Sequence, residues 1–291
     1  MNILVTGANG QLGNEIRNLA KGSGHRFVFT DVNENPEGKT DYLDITKPIS
    51  FDGPLDYIIN CAAYTNVDAA EDNEGLAHLL NCTAVGHLAS LACEKGAALI
   101  HVSTDYVFNG EGSKPCLETD APDPVSAYGR TKLAGEQAVL DSGCRYVIIR
   151  TAWLYSEYGK NFMKTMLRLT SERDEVKVVN DQIGSPTYAL DLAKAIFKVM
   201  ERGVDSKTAG IYHFSNEGVC SWYDFATEIA RLGGHPGVVK PCTSAEFASR
   251  VKRPPFSVLD KTKIKTVLGV DVPQWQDSLA ECYAKFISRV D

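Results

Sequence analysis

The first thirteen residues, MNILVTGANGQLG, constrain what this chain can fold into more than any other stretch. Asn2–Val5 is a short apolar run suited to a buried strand, and Thr6 leads into Gly7-x-x-Gly10-x-x-Gly13. Gln11–Ala20 then has the composition of a helix. A strand, a tight glycine turn and a helix in that order let backbone N–H groups and the positive helix end approach a pyrophosphate. The spacing departs from the commoner G-x-G-x-x-G, so the flanking strand and amphipathic helix carry the reading. A glycine-rich turn with no ligand is the plainer alternative.

The alternation continues beyond that turn. Arg26–Thr30 reads as a second strand ending at Asp31, about twenty residues past the glycines, where a carboxylate can accept the ribose hydroxyls of an adenine dinucleotide. A solvated strand-end aspartate is the other reading. Facing the ribose, Asp31 favours NAD(H) over the additional phosphate of NADP(H). Asn33–Lys47 is polar and turn-rich, and within it Leu43, Asp44 and Ile45 are placed to lie beside an adenine ring. Asp56–Asn60 is a buried strand, followed by Cys61, Ala62 and Ala63, whose small size permits close approach of a cofactor.

Asp68–Lys95 is helical, with Gly75 and Gly86 expected to interrupt it. Ala97–Ser103 is the next strand, with His101 as a core residue. Thr104–Ser126, rich in glycine, proline and acids, is a loop expected to cover a site at the sheet edge. Ala127–Asp141 reads as a helix and Arg145–Thr151 as a strand. Strands and helices alternating in this way call for an α/β fold with a doubly wound parallel sheet and right-handed crossovers, an NAD(P)-binding Rossmann fold.

The remainder is less regular. Helical patterns occupy Asn161–Ser171, Leu190–Arg202, Trp222–Leu232 behind an N-capping Ser221, and Trp275–Val290. Ala245–Ser249 and Lys261–Val267 are short helix candidates, and Glu175–Val179 and Gly210–Phe214 read as strands. The expected organisation is a mainly dinucleotide-binding domain over residues 1–150. A smaller C-terminal substrate-binding domain over 151–291 sends elements back to it.

Composition excludes several roles. A chain of 291 residues with 44% apolar and 23% charged residues can bury a sizeable core. A formal net charge of -7 argues against nucleic acid as a partner. No basic and apolar leader precedes the first strand, and no run is expected to span a bilayer, so the expectation is a cytoplasmic chain without membrane contact. The eight cysteines contain no C-x-x-C pair and read as free thiols in a reducing compartment.

Chemistry concentrates at the carboxyl edge of the expected sheet. Ser103-Thr104 ends a strand, and Tyr128 and Lys132 lie four apart on a helix, facing the same way. A cation close to a phenol favours the phenolate and tunes it for proton transfer near neutral pH. The same ammonium can hold the nicotinamide ribose hydroxyls, and the Thr104 hydroxyl can bond to a substrate oxygen beside the tyrosine.

GANGQLG at 7–13, STDYVF at 103–108 and YGRTK at 128–132 resemble the extended short-chain dehydrogenase/reductase superfamily in order and spacing. More narrowly, SAYGRTKLAGE (126–136), RTAWLY (150–155), Asn161–Leu169, NDQIGSPT (180–187) and RPPFSVLD (253–260) are similar to the dTDP-4-dehydrorhamnose reductases, over nearly the whole chain. The resemblance implies NADPH- or NADH-dependent reduction of the C4 ketone of dTDP-4-dehydro-β-L-rhamnose, in dTDP-rhamnose and surface-polysaccharide biosynthesis. It implies Thr104, Tyr128 and Lys132 as the catalytic set. Gly7, Gly10, Gln11, Leu12 and Gly13 fall at the pyrophosphate, and Asp31, Asp44, Ala62, Ala63, Tyr128 and Lys132 along the rest of the cofactor. Thr65, Val67, Thr104, Asp105, Trp153, Asn161, Gln182, Gly184, Pro186 and Arg253 fall on the dTDP-sugar. From the residues alone, Trp153 as a core aromatic, Gly184 and Pro186 as loop-shaping residues, and Arg253 as an ion-pair partner stay open.

Three other readings share the scaffold. A 4,6-dehydratase needs an additional acid/base pair, and that branch typically has Asp-Glu after the strand-end threonine; here Asp105-Tyr106 follows Thr104. A 4-epimerase uses the same tyrosine, lysine and nicotinamide. A non-catalytic regulatory subunit keeps the fold but has no need of the threonine, tyrosine and lysine together. Some similar reductases bind Mg²⁺ at a homodimer interface. Here Glu15 is available, but Leu190 leaves only Asp191 nearby, so a structural Mg²⁺ and a homodimer are expectations without a catalytic metal.

Overall fold

Seven parallel strands form the centre of the computed structural model, which describes residues 1–247 and 251–290. The first half runs β1 (Asn2–Thr6), α1 (Gln11–Ala20), β2 (Arg26–Asp31), β3 (Thr40–Tyr42), β4 (Tyr57–Asn60), α2 (Val67–Asp72), α3 (Glu74–His78), α4 (Ala84–Lys95), β5 (Ala98–Thr104), α5 (Ala127–Asp141) and β6 (Arg145–Thr151). The second half runs β7 (Leu154–Tyr155), α6 (Phe162–Glu172), β8 (Val176–Val179), β9 (Ile183–Gly184), β10 (Thr187–Tyr188), α7 (Ala189–Arg202), β11 (Gly210–His213), β12 (Cys220–Ser221), α8 (Trp222–Leu232), β13 (Val239–Cys242), α9 (Thr262–Leu268) and α10 (Trp275–Val290). The main sheet has the order β3-β2-β1-β4-β5-β6-β11.

The strands are apolar on both faces because helices cover both. Ile3 and Val5 of β1 pack with Leu12 and Ile16 of α1 and Leu192, Ile196 and Val199 of α7. Leu4, Ile58, Leu99 and Ile148 point the other way, onto Val85, Leu88 and Ala92 of α4 and Val139 of α5. A separate core joins Met163 and Met166 of α6, Val176 and Val178 of β8, Phe225 and Ile229 of α8, and Leu279 and Cys282 of α10. The chain leaves the sheet after Thr151 but returns to it, since β11 pairs with β6 from Gly210 opposite Val147.

Several expectations change. The helical stretch breaks at Asn73 (φ -131°, ψ 46°), not at the glycines. Gly75 and Gly86 sit inside a run that continues from Glu74 to Lys95 through a π-helical turn at Leu79–Thr83. That run is long and apolar enough to cross a membrane by length and composition, contrary to the sequence reading; its buried face packs beside the sheet. Strand β3 escaped notice because Thr-Asp-Tyr has no apolar period, and β13 because Pro241 interrupts it. Ala245–Phe247 is a turn, and the rest of the proposed helix there, through Ser249, lies outside the described residues. All eight cysteines are free; Cys93 is exposed, and Cys144, Cys220, Cys242 and Cys282 are buried.

Helix α5 docks unusually close to its neighbours. A Cβ at Gly135 would fall 2.0 Å from the Asn81 carbonyl oxygen, and one at Gly129 would fall 2.2 Å from that of Tyr106. In an open helix, alanine in place of glycine stabilises by about 0.5–1 kcal/mol. Gly135→Ala is expected to do the reverse, destabilising by about 1–3 kcal/mol through overpacking, read as a lower urea midpoint.

Candidate active site

The glycine turn is shaped by close approach. Gly7 has φ +65°, and a Cβ on it would lie 2.6 Å from the Ala62 nitrogen. A Cβ on Gly13 would lie 2.5 Å from Ala8 Cα, so this glycine lets α1 press against the turn. Gly10 is the N-cap of α1 and provides no side-chain cap, which leaves first-turn N–H groups available to an anion. These features fit the pyrophosphate of a dinucleotide. Gly7, Gly10, Gln11 and Leu12 line a cleft of about 710 Å³ that also takes in Asp31, Ala62, Ala63, Thr65 and Val67.

Asp31 reaches this cleft with its carboxylate accepting the N–H groups of Asn9 and Asn33, each at 3.2 Å. Arg17 turns away from it, donating to the Gly38 carbonyl and to Thr40 Oγ1 at 2.7 Å, with its guanidinium 4.1 Å over Phe29. Leu43 and Ile45 line the cleft, but Asp44 does not. The Asp44 carboxylate accepts from Thr46 N at 3.0 Å and Thr46 Oγ1 at 2.6 Å and pairs with Lys47, so it caps its own turn.

Thr104, Asp105, Tyr128 and Lys132 converge in the same cleft. Ser126 caps α5 through Gly129 N at 3.1 Å, which starts the helix so that Tyr128 and Lys132 share one face. Burial pushes the Tyr128 phenol up to about 12, with the Asp105 charge adding and a hydrogen bond to Thr104 opposing. This corrects the expectation that Lys132 lowers it. The Lys132 ammonium donates instead to the Val102 carbonyl at 2.7 Å, and burial pushes it down to about 8, with Glu136 opposing. Tyr106 packs edge-on against Tyr128, ring centres 5.6 Å apart. His101 is a core residue as expected, buried with Nδ1 3.0 Å from Asn60 Nδ2.

Behind this group lies an ion pair that sequence reasoning missed. Glu136, one turn beyond Lys132, takes Arg150 Nε at 2.9 Å and Nη2 at 2.7 Å, and Ser103 Oγ donates to it at 2.5 Å. Both charged side chains are almost fully buried. A carboxylate on the same helix face as Tyr128 and Lys132 was the available signal.

The second half of the chain supplies the far wall. Trp153, at φ +49°, stacks on Trp222 with ring centres 3.7 Å apart, and both line the cleft. Trp222 also borders a second, largely apolar cavity of about 670 Å³ lined by Phe162, Met166, Val178, Gln182 and Arg253. Gln182 and Arg253 therefore stand apart from Tyr128, in the cavity across Trp222. Gly184 and Pro186 line neither cavity. A Cβ on Gly184 would lie 2.7 Å from the Trp153 ring, and the Pro186 carbonyl accepts Asn216 N at 3.0 Å, so both shape the structure. Arg253 pairs with Asp68 at 3.4 Å. Asn161 caps α6 and donates to Gln11 Oε1 at 2.9 Å, linking the glycine turn to the second cavity's helix. Trp222 carried no motif that marked it in the sequence, and Phe162 entered only as part of the Asn161–Leu169 stretch.

Magnesium finds no support in the geometry. Burial and the neighbouring Glu157 charge push Glu15 up to about 8. The Asp191 carboxylate is engaged by Asn216 at 2.8 Å, Ser278 at 2.5 Å and Lys194 at 3.2 Å. Among the described residues no group of three or more His, Cys, Asp or Glu is placed to hold a metal.

The family model described as the RmlD substrate binding domain matches residues 1–288. The chain belongs to this family. A spore coat polysaccharide biosynthesis protein of Bacillus subtilis is 38% identical, with 99% of each chain covered. The crystal structure of a dTDP-4-dehydrorhamnose reductase from Clostridium acetobutylicum superposes with a TM-score of 0.90 at 43% identity, covering 99% of this chain and 100% of that one. A dTDP-4-dehydrorhamnose reductase of Bacillus anthracis in complex with NADP gives a TM-score of 0.82 at 35% identity, covering 98% and 99%. The extended Rossmann-like fold of the RmlD family and its binding of a nicotinamide cofactor agree with the cradle described above.

Within this fold the Glu136–Arg150 pair is structural, and removing one partner strands a buried charge. Glu136→Ala is expected to cost about 3–5 kcal/mol of stability, measured by urea unfolding monitored by circular dichroism.

Proposed function

We propose that this chain reduces the C4 ketone of dTDP-4-dehydro-β-L-rhamnose to dTDP-β-L-rhamnose in rhamnose and polysaccharide biosynthesis. The observation that carries this reading is the convergence of Thr104, Tyr128 and Lys132 in the cleft that also holds the glycine cradle. The similarity to dTDP-4-dehydrorhamnose reductases across nearly the whole chain supports it.

Gly7, Gly10, Gln11 and Leu12 would hold the pyrophosphate, Asp31 the adenine ribose, and Lys132 the nicotinamide ribose, with Ala62 and Ala63 beside them. When bound, the reduced nicotinamide supplies the hydride that the ketone carbon needs. Tyr128 supplies the proton. Its raised pKa keeps the phenol protonated at neutral pH, the state required to neutralise a developing alkoxide. Thr104 bonds to the same oxygen and orients it. Thr65 and Val67 border the sugar, and the Trp153–Trp222 stack covers it from the far side. Gln182 and Arg253 hold the nucleotide in the neighbouring cavity. Tyr106, where a dehydratase would use a second carboxylate, packs against Tyr128 and offers no carboxylate base.

Incubation with the 4-keto sugar nucleotide should consume NADH or NADPH stoichiometrically and yield the rhamnose stereoisomer; a redox-neutral epimer would overturn the reading. Tyr128→Phe should lower turnover at least tenfold while cofactor affinity, followed by nucleotide fluorescence, stays within about twofold, because the cradle is untouched. Asp31→Ala should shift the kcat/KM ratio toward NADPH several-fold, because a carboxylate at the ribose edge repels a 2′-phosphate.

A further inference from the structure

Arg253 and Asp68 meet at the edge of the site, with Nη2 donating to Oδ2 at 3.4 Å. Arg253 lines the apolar cavity across Trp222, and Asp68 directly follows Val67, which lines the cleft that holds Tyr128. The pair therefore joins the rims of the two chambers. Both backbones are anchored. A Cβ on Gly110 would lie 2.5 Å from Pro254 Cβ, and the Pro255 carbonyl accepts Ile183 N at 2.8 Å, so the chain around Arg253 rests on a fixed ledge. Asp68 stands in the first turn of α2, whose start is set by Asn66 Oδ1 accepting Ala69 N at 3.1 Å. The side chains, by contrast, are 34% and 49% exposed. Anchored backbones bearing partly solvated side chains let the guanidinium change partner through rotamer changes alone.

A nucleotide-sugar with its sugar in the cleft and its nucleoside in the apolar cavity places the connecting diphosphate at the junction of the two. We propose that this diphosphate displaces Asp68 from Arg253, so that Asp68 is a competing anion that sets how tightly, and how selectively for a diphosphate, the site binds. A guanidinium matches phosphate oxygens in a two-pronged geometry, which outweighs a single 3.4 Å contact with a carboxylate. An ion pair this exposed is weak in water, so the exchange meets little resistance. Asp68 holds the guanidinium at the junction before binding and recaptures it on release. A ligand without phosphates does not compete for Arg253 and leaves the pair intact. Lys252, next in the chain, is directed elsewhere, to Glu111 at 3.8 Å. The inference rests on the nucleotide-sugar reading above and adds to it the role of Asp68.

The test is calorimetric titration of the full chain with dTDP and with thymidine, which has no phosphate. D68N should tighten dTDP binding about two- to fivefold, the strength of an exposed ion pair, and leave thymidine binding unchanged. R253A should weaken dTDP binding by about tenfold or more, because a charge-assisted contact is lost. In the R253A background D68N should recover less than half of its effect, since only screened repulsion between Asp68 and the diphosphate remains. Should D68N fail to fold, D68S takes its place in the cycle. No tightening of dTDP, equal tightening of thymidine, or equal tightening with and without Arg253 would overturn the proposal. Wild-type protein that does not bind dTDP would refute the nucleotide-sugar reading and this inference with it. Binding of dTDP that is indifferent to D68N would refute the role of Asp68 alone.

Discussion

The buried contact between Arg150 and Glu136 holds the rest of the site in register. Two charges taken out of water gain from each other only when geometry and further hydrogen bonds satisfy them. Here Ser103, on the neighbouring strand, supplies one of those bonds. The result ties β5, β6 and α5 together directly behind the residues that face the cleft. Close glycine contacts at Gly129 and Gly135 bring α5 near enough for the pair to form. Tyr128 and Lys132 inherit their positions from this docking.

The cleft itself combines two environments. At one end backbone amides and a helix terminus suit anionic oxygen atoms, and no cationic side chain is needed there. At the other end burial dominates, raising the Tyr128 phenol and lowering the Lys132 ammonium. Both shifts move toward neutral side chains. Such a surrounding suits an acid that must keep its proton until charge develops on the substrate. The apolar cavity across Trp222 adjoins the cleft, and under the proposed function it would take the nucleotide of the substrate.

Much of this was legible in the order of residues, because it depends on local patterns. The β1–α1 turn, the span of α5 and the Ser221 cap each follow from glycine spacing, helix period or a capping residue, and each stands in the structure where the pattern placed it. The misses arose where tertiary contact overrides local preference. Asp44 carries a suitable side chain at a suitable place, yet its own turn consumes both oxygens. Lys132 lies on the expected face, yet a strand carbonyl captures its ammonium. The division of the substrate-side residues between two cavities depends on an indole stack formed by Trp153 and Trp222, far apart in the chain.

That stack ties one position to another. The face of Gly184 is occupied by the ring of Trp153, leaving no volume for even a methyl group. Any sequence that retains the indole here must also retain glycine across from it, and one that enlarges position 184 must give up or reorient the ring. A side chain at position 184 and the indole at position 153 therefore compete for one volume, and the aromatic wall exists because the glycine leaves that volume to the ring.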